Sequence, residues 1–175
     1  MAPVKSIRRY RILLGGISQS LLRNNLGVWP IPGRIQNNES VTRFLVADDI
    51  RTSNGTIRHK AFIPPTGESE LSVYRIFGLN STTIWRIGKY LVERYRKKRI
   101  IGRADVNVEI IEETVPSLYL KRTYVPHPRH ANTKGFPIVS LPNQERNEVI
   151  RQTQKQKQKV ISMELARIAN PPIRN

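Results

Sequence analysis

Two histidines three residues apart, in the string HPRHAN at 127 to 132, are the side chains best suited by type to bond-breaking chemistry. At that spacing two imidazole nitrogens could share one metal ion, or one histidine could sit beside a scissile phosphate. Asp105, with Asp48 or Asp49, could add carboxylates, and a metal-assisted or histidine-dependent nuclease is then one reading. Proline at 126 and 128 forbids a helical HxxH arrangement, and His59 lies far off in sequence. A loop histidine commonly hydrogen-bonds its own surroundings, so His130, His127 and Asp105 stand as catalytic candidates without an assigned role, and no metal ligand is named. The sequence contains no Gly-rich phosphate loop, no G-x-S-x-G elbow and no paired-carboxylate motif. It contains no cysteine, which excludes disulfides, thiolate zinc sites, iron–sulfur clusters and cysteine nucleophiles and fits a reducing compartment. No cofactor is expected.

The second kind of chemistry is electrostatic. Among 175 residues, 30 Lys and Arg stand against 13 Asp and Glu, and such a surplus repels itself unless an anion relieves it. Nucleic acid, RNA or DNA, is the expected partner. Between Arg86 and Arg103 the only acid is Glu93, whereas a merely solvated helix face normally mixes acids with its cations. Arg86, Lys89, Arg96, Lys97, Lys98, Arg99 and Arg103 are therefore read as phosphate contacts. Lys121, Arg122, Arg129 and Lys134 form a second stretch, with no acid between Glu113 and Glu145. Trp85, Tyr90, Tyr95, Tyr119 and Tyr124 interleave with these charges. Tyr95 and Trp85 are expected in the core, which leaves Tyr119 and Tyr124 as candidates for stacking on bases.

The first 38 residues hold no acid and carry Lys5, Arg8, Arg9, Arg11, Arg23 and Arg34 beside several serines. The profile resembles an organelle-targeting peptide. The preferred reading is a retained basic arm lying on the partner, with Arg8, Arg9 and Arg11 on phosphates. Asn24, Asn25, Gly27, Pro30, Pro32 and Gly33 then read as a connector.

Elements must position these groups. The runs 41–50 and 56–63 are rich in β-branched and aromatic residues and flank Asn54-Gly55, which predicts an antiparallel hairpin. A third strand is expected over 71–77. Ile84, Ile87, Leu91 and Tyr95 recur at spacings of three and four after a capping Asn80 or Ser81, so a helix over 81–97 should bury one stripe and show a basic face. Residues 106–111 and 117–125 read as two more strands, and 127–137 as a loop. A last helix is expected from Pro142 and Asn143 to about Ala169. Its middle, RQTQKQKQK, has almost no apolar stripe, so it should dock only near its end.

The strings SVYRI at 72–76, IWRIG at 84–88, GRAD at 102–105 and PRHAN at 128–132 resemble a family of small bacterial proteins of unassigned function, over roughly residues 41 to 140. The resemblance implies that Arg75, Arg103, Asp105 and His130 belong to one unit and carries no activity with it. Arg103 and Asp105 share a strand face if extended, and could form an internal ion pair as easily as a site.

These readings combine into an α+β chain: a mainly antiparallel sheet covered by one amphipathic helix. Residues 1–40 are the arm and connector, 41–142 the α+β domain, and 143–175 the C-terminal helix and tail. The expected function is that of a non-enzymatic, nucleic-acid-binding accessory subunit of a larger nucleoprotein complex, cytoplasmic, with other protein subunits as partners and no membrane. The nuclease and a structural protein of a ribosome-like particle are the alternatives.

Overall fold

The computed structural model describes residues 33–51, 53–93, 97–123, 127–140, 147–169 and 171–174. The expected arm with Arg8, Arg9 and Arg11, and also Arg96, Tyr95, Tyr124 and Pro142, lie outside them. The fold is α+β, and the described residues form one six-stranded antiparallel sheet in the order β4-β5-β2-β1-β3-β6 and three α-helices. The strands are β1 Ser40–Val46, β2 Glu70–Arg75, β3 Ile100–Asn107, β4 Tyr119–Arg122, β5 His130–Lys134 and β6 Ile173–Arg174. The helices are α1 Ser81–Gly88, α2 Val108–Thr114 and α3 Glu148–Ile168.

Alternation along the strands divides the core in two. Val41, Leu45, Leu71, Val73, Ala104, Val106 and Ala131 point to one face, where Ile111, Phe62, Leu165 and Ala166 cover them. Phe44 and Tyr74 point to the other and pack under Ile84, Trp85, Ile87 and Leu91 of the α1 segment. The expected stripe of that helix is thus the buried one, and Asn80 is its cap, accepting the Thr83 N–H at 2.8 Å. The close approach of α1 to the sheet requires Gly88: a Cβ there would stand 2.5 Å from the Phe44 ring and 2.9 Å from Ile100.

The hairpin expected over 41–50 and 56–63 is reduced to one bridge, Ile50 to Ile57. Between Leu45 and Val46 the register shifts, and beyond Val46 the chain tightens into a 3-10 turn, Ala47–Asp49, with the Asp49 carboxylate accepting the Val46 N–H at 2.9 Å. Residues His59–Phe62 form a second such turn instead of a strand. The Asn54-Gly55 turn itself is present, with Gly55 at φ 69°. β1 pairs instead with β2 and β3.

Residues 108–111 are helix α2, not strand. Asn107 caps it, accepting the Glu109 N–H at 2.8 Å, and Glu109 places an acid at the positive end of the helix. The expected loop at 127–137 contains β5, which is paired on both sides, with β2 and with β4. Its polar side chains are absorbed by neighbours: Asn132 bonds Glu70, and His130 Nδ1 bonds the Thr123 hydroxyl.

Helix α3 follows the expected division of labour. Its first half is largely exposed, while Gln158, Ser162, Leu165 and Ala166 are buried. Ser162 donates to the Phe62 carbonyl at 3.0 Å and Gln158 to that of Pro137 at 3.2 Å. The chain then returns to the sheet, where Arg174 pairs with Gly102 and Ile173 with Arg103.

Candidate nucleic-acid interface

At the end of α1 the chain widens into a π-helical turn, Lys89–Glu93, a distortion frequent at functional sites. With Ile84, Ile87 and Leu91 held inward, Arg86 and Lys89 are turned to solvent. Lys97, Lys98 and Arg99 are also exposed, and Lys97 sits in the left-handed region at φ 51°. From the opposite end of the chain, β6 brings Arg174 to the same place. Lys89, Arg99 and Arg174 line a recess of about 490 Å³ with Glu93, Ile100 and Ile101. Among the described residues Glu93 is its only acid, and that carboxylate accepts the Ile100 N–H at 2.9 Å. No carboxylate lies within ion-pair distance of Lys89, Arg99 or Arg174 among the described residues.

Other expected phosphate contacts divide by burial. Lys98 pairs with Asp48 at 3.2 Å, both side chains exposed, and this holds the Asp48 carboxyl below its ordinary value. Such a pair is weak and screened by salt, so it leaves Lys98 able to meet a phosphate. Lys121 is exposed, Arg122 is partly buried, and Lys134 pairs with Glu70. Arg103 and Arg129 face inward, at 7% and 3% exposure. Arg103 stacks over Trp85 at 5.3 Å with Asp105 at 3.3 Å, and Arg129 donates to the Phe77 carbonyl at 2.7 Å. Both are internal struts and leave the set of surface contacts.

The histidine chemistry loses its geometry. His127 is fully buried, its Nδ1 accepting the Arg129 N–H at 3.1 Å. His130 stands in a row on one sheet face, opposite Tyr74, which is opposite Thr42, which is opposite Asp105. Three strand spacings separate His130 from Asp105, roughly 14 Å. Burial, and then the charge of Arg43, push His130 down to about 4, so it is a neutral ring at neutral pH. Burial raises Asp105, against the Thr42 hydroxyl and Arg103. No group of three metal-ligating side chains exists among the described residues.

At the far edge of the sheet, beside β4, lies a second concavity of about 550 Å³. Arg34, Ile35, Asn37, Val108, Glu112, Tyr119, Leu120, Lys121 and Arg122 line it. Its wall at Arg34 is fixed by the buried Arg75, which donates to the carbonyls of Gly33 at 2.7 Å and Arg34 at 3.1 Å. Arg34 and Arg174 were not expected as site residues. Each reaches its place through pairing with residues more than forty positions away in sequence, and no local periodicity marks either one. The proline pair before Ile173 signals only extended chain.

The chain matches no protein-family model, no curated protein and no solved structure. No helix among the described residues is long and apolar enough to cross a membrane.

Proposed function

We propose that this protein is a non-enzymatic nucleic-acid-binding subunit of a larger nucleoprotein assembly, which meets phosphates with the cationic end formed by α1, its π-helical turn and β6. The observation that carries this reading is the recess itself: Lys89, Arg99 and Arg174, from three parts of the chain, line it together with Glu93, whose carboxylate is engaged by the main chain. Holding a surplus of like charges together costs free energy in the compact state, and a polyphosphate offsets that cost. Arg86, Lys97 and Lys98 extend the same surface. Phosphate contacts of this kind fix position and carry no sequence information, so binding should be largely indifferent to base order. A cysteine-free chain suits the reducing cytoplasm.

The test is charge reversal. Lys89→Glu, Arg99→Glu and Arg174→Glu together should abolish retention on both RNA and DNA columns at low salt while leaving the thermal unfolding midpoint near wild type. Undiminished retention by a folded triple variant would overturn the assignment of this surface.

A further inference from the structure

Resting on the nucleic-acid reading, we propose that the concavity beside β4 is a nucleotide subsite for single-stranded nucleic acid, in which an unpaired base stacks on Tyr119 while Arg34 and Lys121 hold the adjoining phosphate. Tyr119 is 53% exposed on the edge strand β4, with the exposed Lys121 on the same side of the strand. Beside it, the half-buried Leu120 and Ile35 offer apolar edges, and among the described residues Arg34, Lys121 and Arg122 line the concavity with one acid, Glu112. A volume of about 550 Å³ falls in the range of small-ligand sites. Apolar wall, aromatic ring and cationic rim correspond to the base face and the phosphate of one nucleotide. A duplex keeps its base faces stacked on one another, so it cannot use Tyr119 in this way; a single strand can.

The wall is built rather than incidental. Arg75 clamps the main chain at Gly33 and Arg34, Glu39 clamps Arg75, and the Glu109 N–H of α2 bonds the Asn37 carbonyl at 3.1 Å. Partial burial and the neighbouring charge of Arg75 hold the Arg122 guanidinium below its ordinary value. The subsite lies across the sheet from the Lys89 recess, at the β4 edge rather than the β6 edge. The two edges stand five strand spacings apart, roughly 24 Å.

Fluorescence anisotropy with a labelled twelve-nucleotide single strand, and with a duplex of the same length, separates the two surfaces. Tyr119→Ala should weaken single-strand binding about tenfold, consistent with loss of one stacked base, and leave duplex binding and the salt dependence unchanged. Tyr119→Phe should bind as wild type. If Tyr119→Ala binds the single strand as wild type does, or Tyr119→Phe is as weak as the alanine variant, the subsite is overturned while the Lys89 surface stands on its own test. If wild type binds neither probe at low salt, both readings fall.

Discussion

Glu39 and Arg75 form a two-point ion pair in the interior: Arg75 Nε donates to Glu39 Oε2 at 2.8 Å, and Nη2 meets Oε1. Arg75 is 1% exposed and Glu39 3%. The remaining donors of the guanidinium hold the Gly33 and Arg34 carbonyls, and Glu39 also accepts the Gln36 N–H at 3.0 Å. Every polar atom of the pair that could be orphaned thus has a partner, which is what makes two buried charges tolerable in low dielectric.

Removing one partner leaves the other charge buried and alone. Glu39→Gln should lower stability by about 3–5 kcal/mol, a drop in the thermal midpoint on the order of 10 °C for a chain of this size. Differential scanning calorimetry checks it; a shift below about 2 °C would show that the pair contributes little.

Gly88→Ala should destabilise the protein although alanine is the better helix former. The propensity gain is about 1 kcal/mol, but the new methyl would enter the space of the Phe44 ring and Ile100, and overpacking costs about 1–3 kcal/mol. Chemical denaturation of the variant decides the sign. A stabilised variant would mean that α1 shifts off the sheet without penalty.

Stability should fall on acidification through His130. Its pKa is depressed in the folded state, from 6.5 to about 4, so the unfolded chain binds the proton more tightly. Stability from the neutral ring is complete above about pH 6.5 and is lost as the pH falls toward 4, about 3 kcal/mol in all. Asp105, raised by burial, works in the opposite direction, so the comparison must be with His130→Phe, which keeps a ring beside Tyr74 and does not titrate. Wild type should lose more stability than the variant between pH 7 and pH 4; parallel losses would place the proton elsewhere.

The sequence revealed what depends on neighbours along the chain. Helix α1 was legible because Asn80, Ile84, Ile87 and Leu91 carry cap and stripe within three turns. The exposed first half of α3 was legible because a Gln and Lys tract has nothing to bury. β5 was not, since HANTK has no apolar alternation and becomes a strand only between β2 and β4. Helix α2 reads as a strand because Val106, Val108 and Ile110 alternate as a strand would, while the deciding signal is one capping side chain, Asn107. The candidate interface divided in the same way. Exposed Arg86 and Lys89 follow from helix phase, and Arg99 belongs to the run of cations beyond the helix end, but the burial of Arg103 and Arg129 depends on how the strands register and on a carbonyl 52 residues away. The convergence of Arg174 on Lys89 depends on the pairing of β6 with β3.

The central claim, that the cations around Lys89, Arg99 and Arg174 exist to meet polyphosphate, is tested most directly by the salt dependence of wild-type binding to a labelled oligonucleotide. Three phosphate contacts predict a slope of log Kobs against log salt of about −2.1 for a single strand to about −2.7 for a duplex, a loss of roughly 20- to 40-fold in affinity between about 50 and 200 mM salt. Affinity that is flat across that range, or tight binding to an acidic protein partner with none to RNA or DNA, would contradict the account.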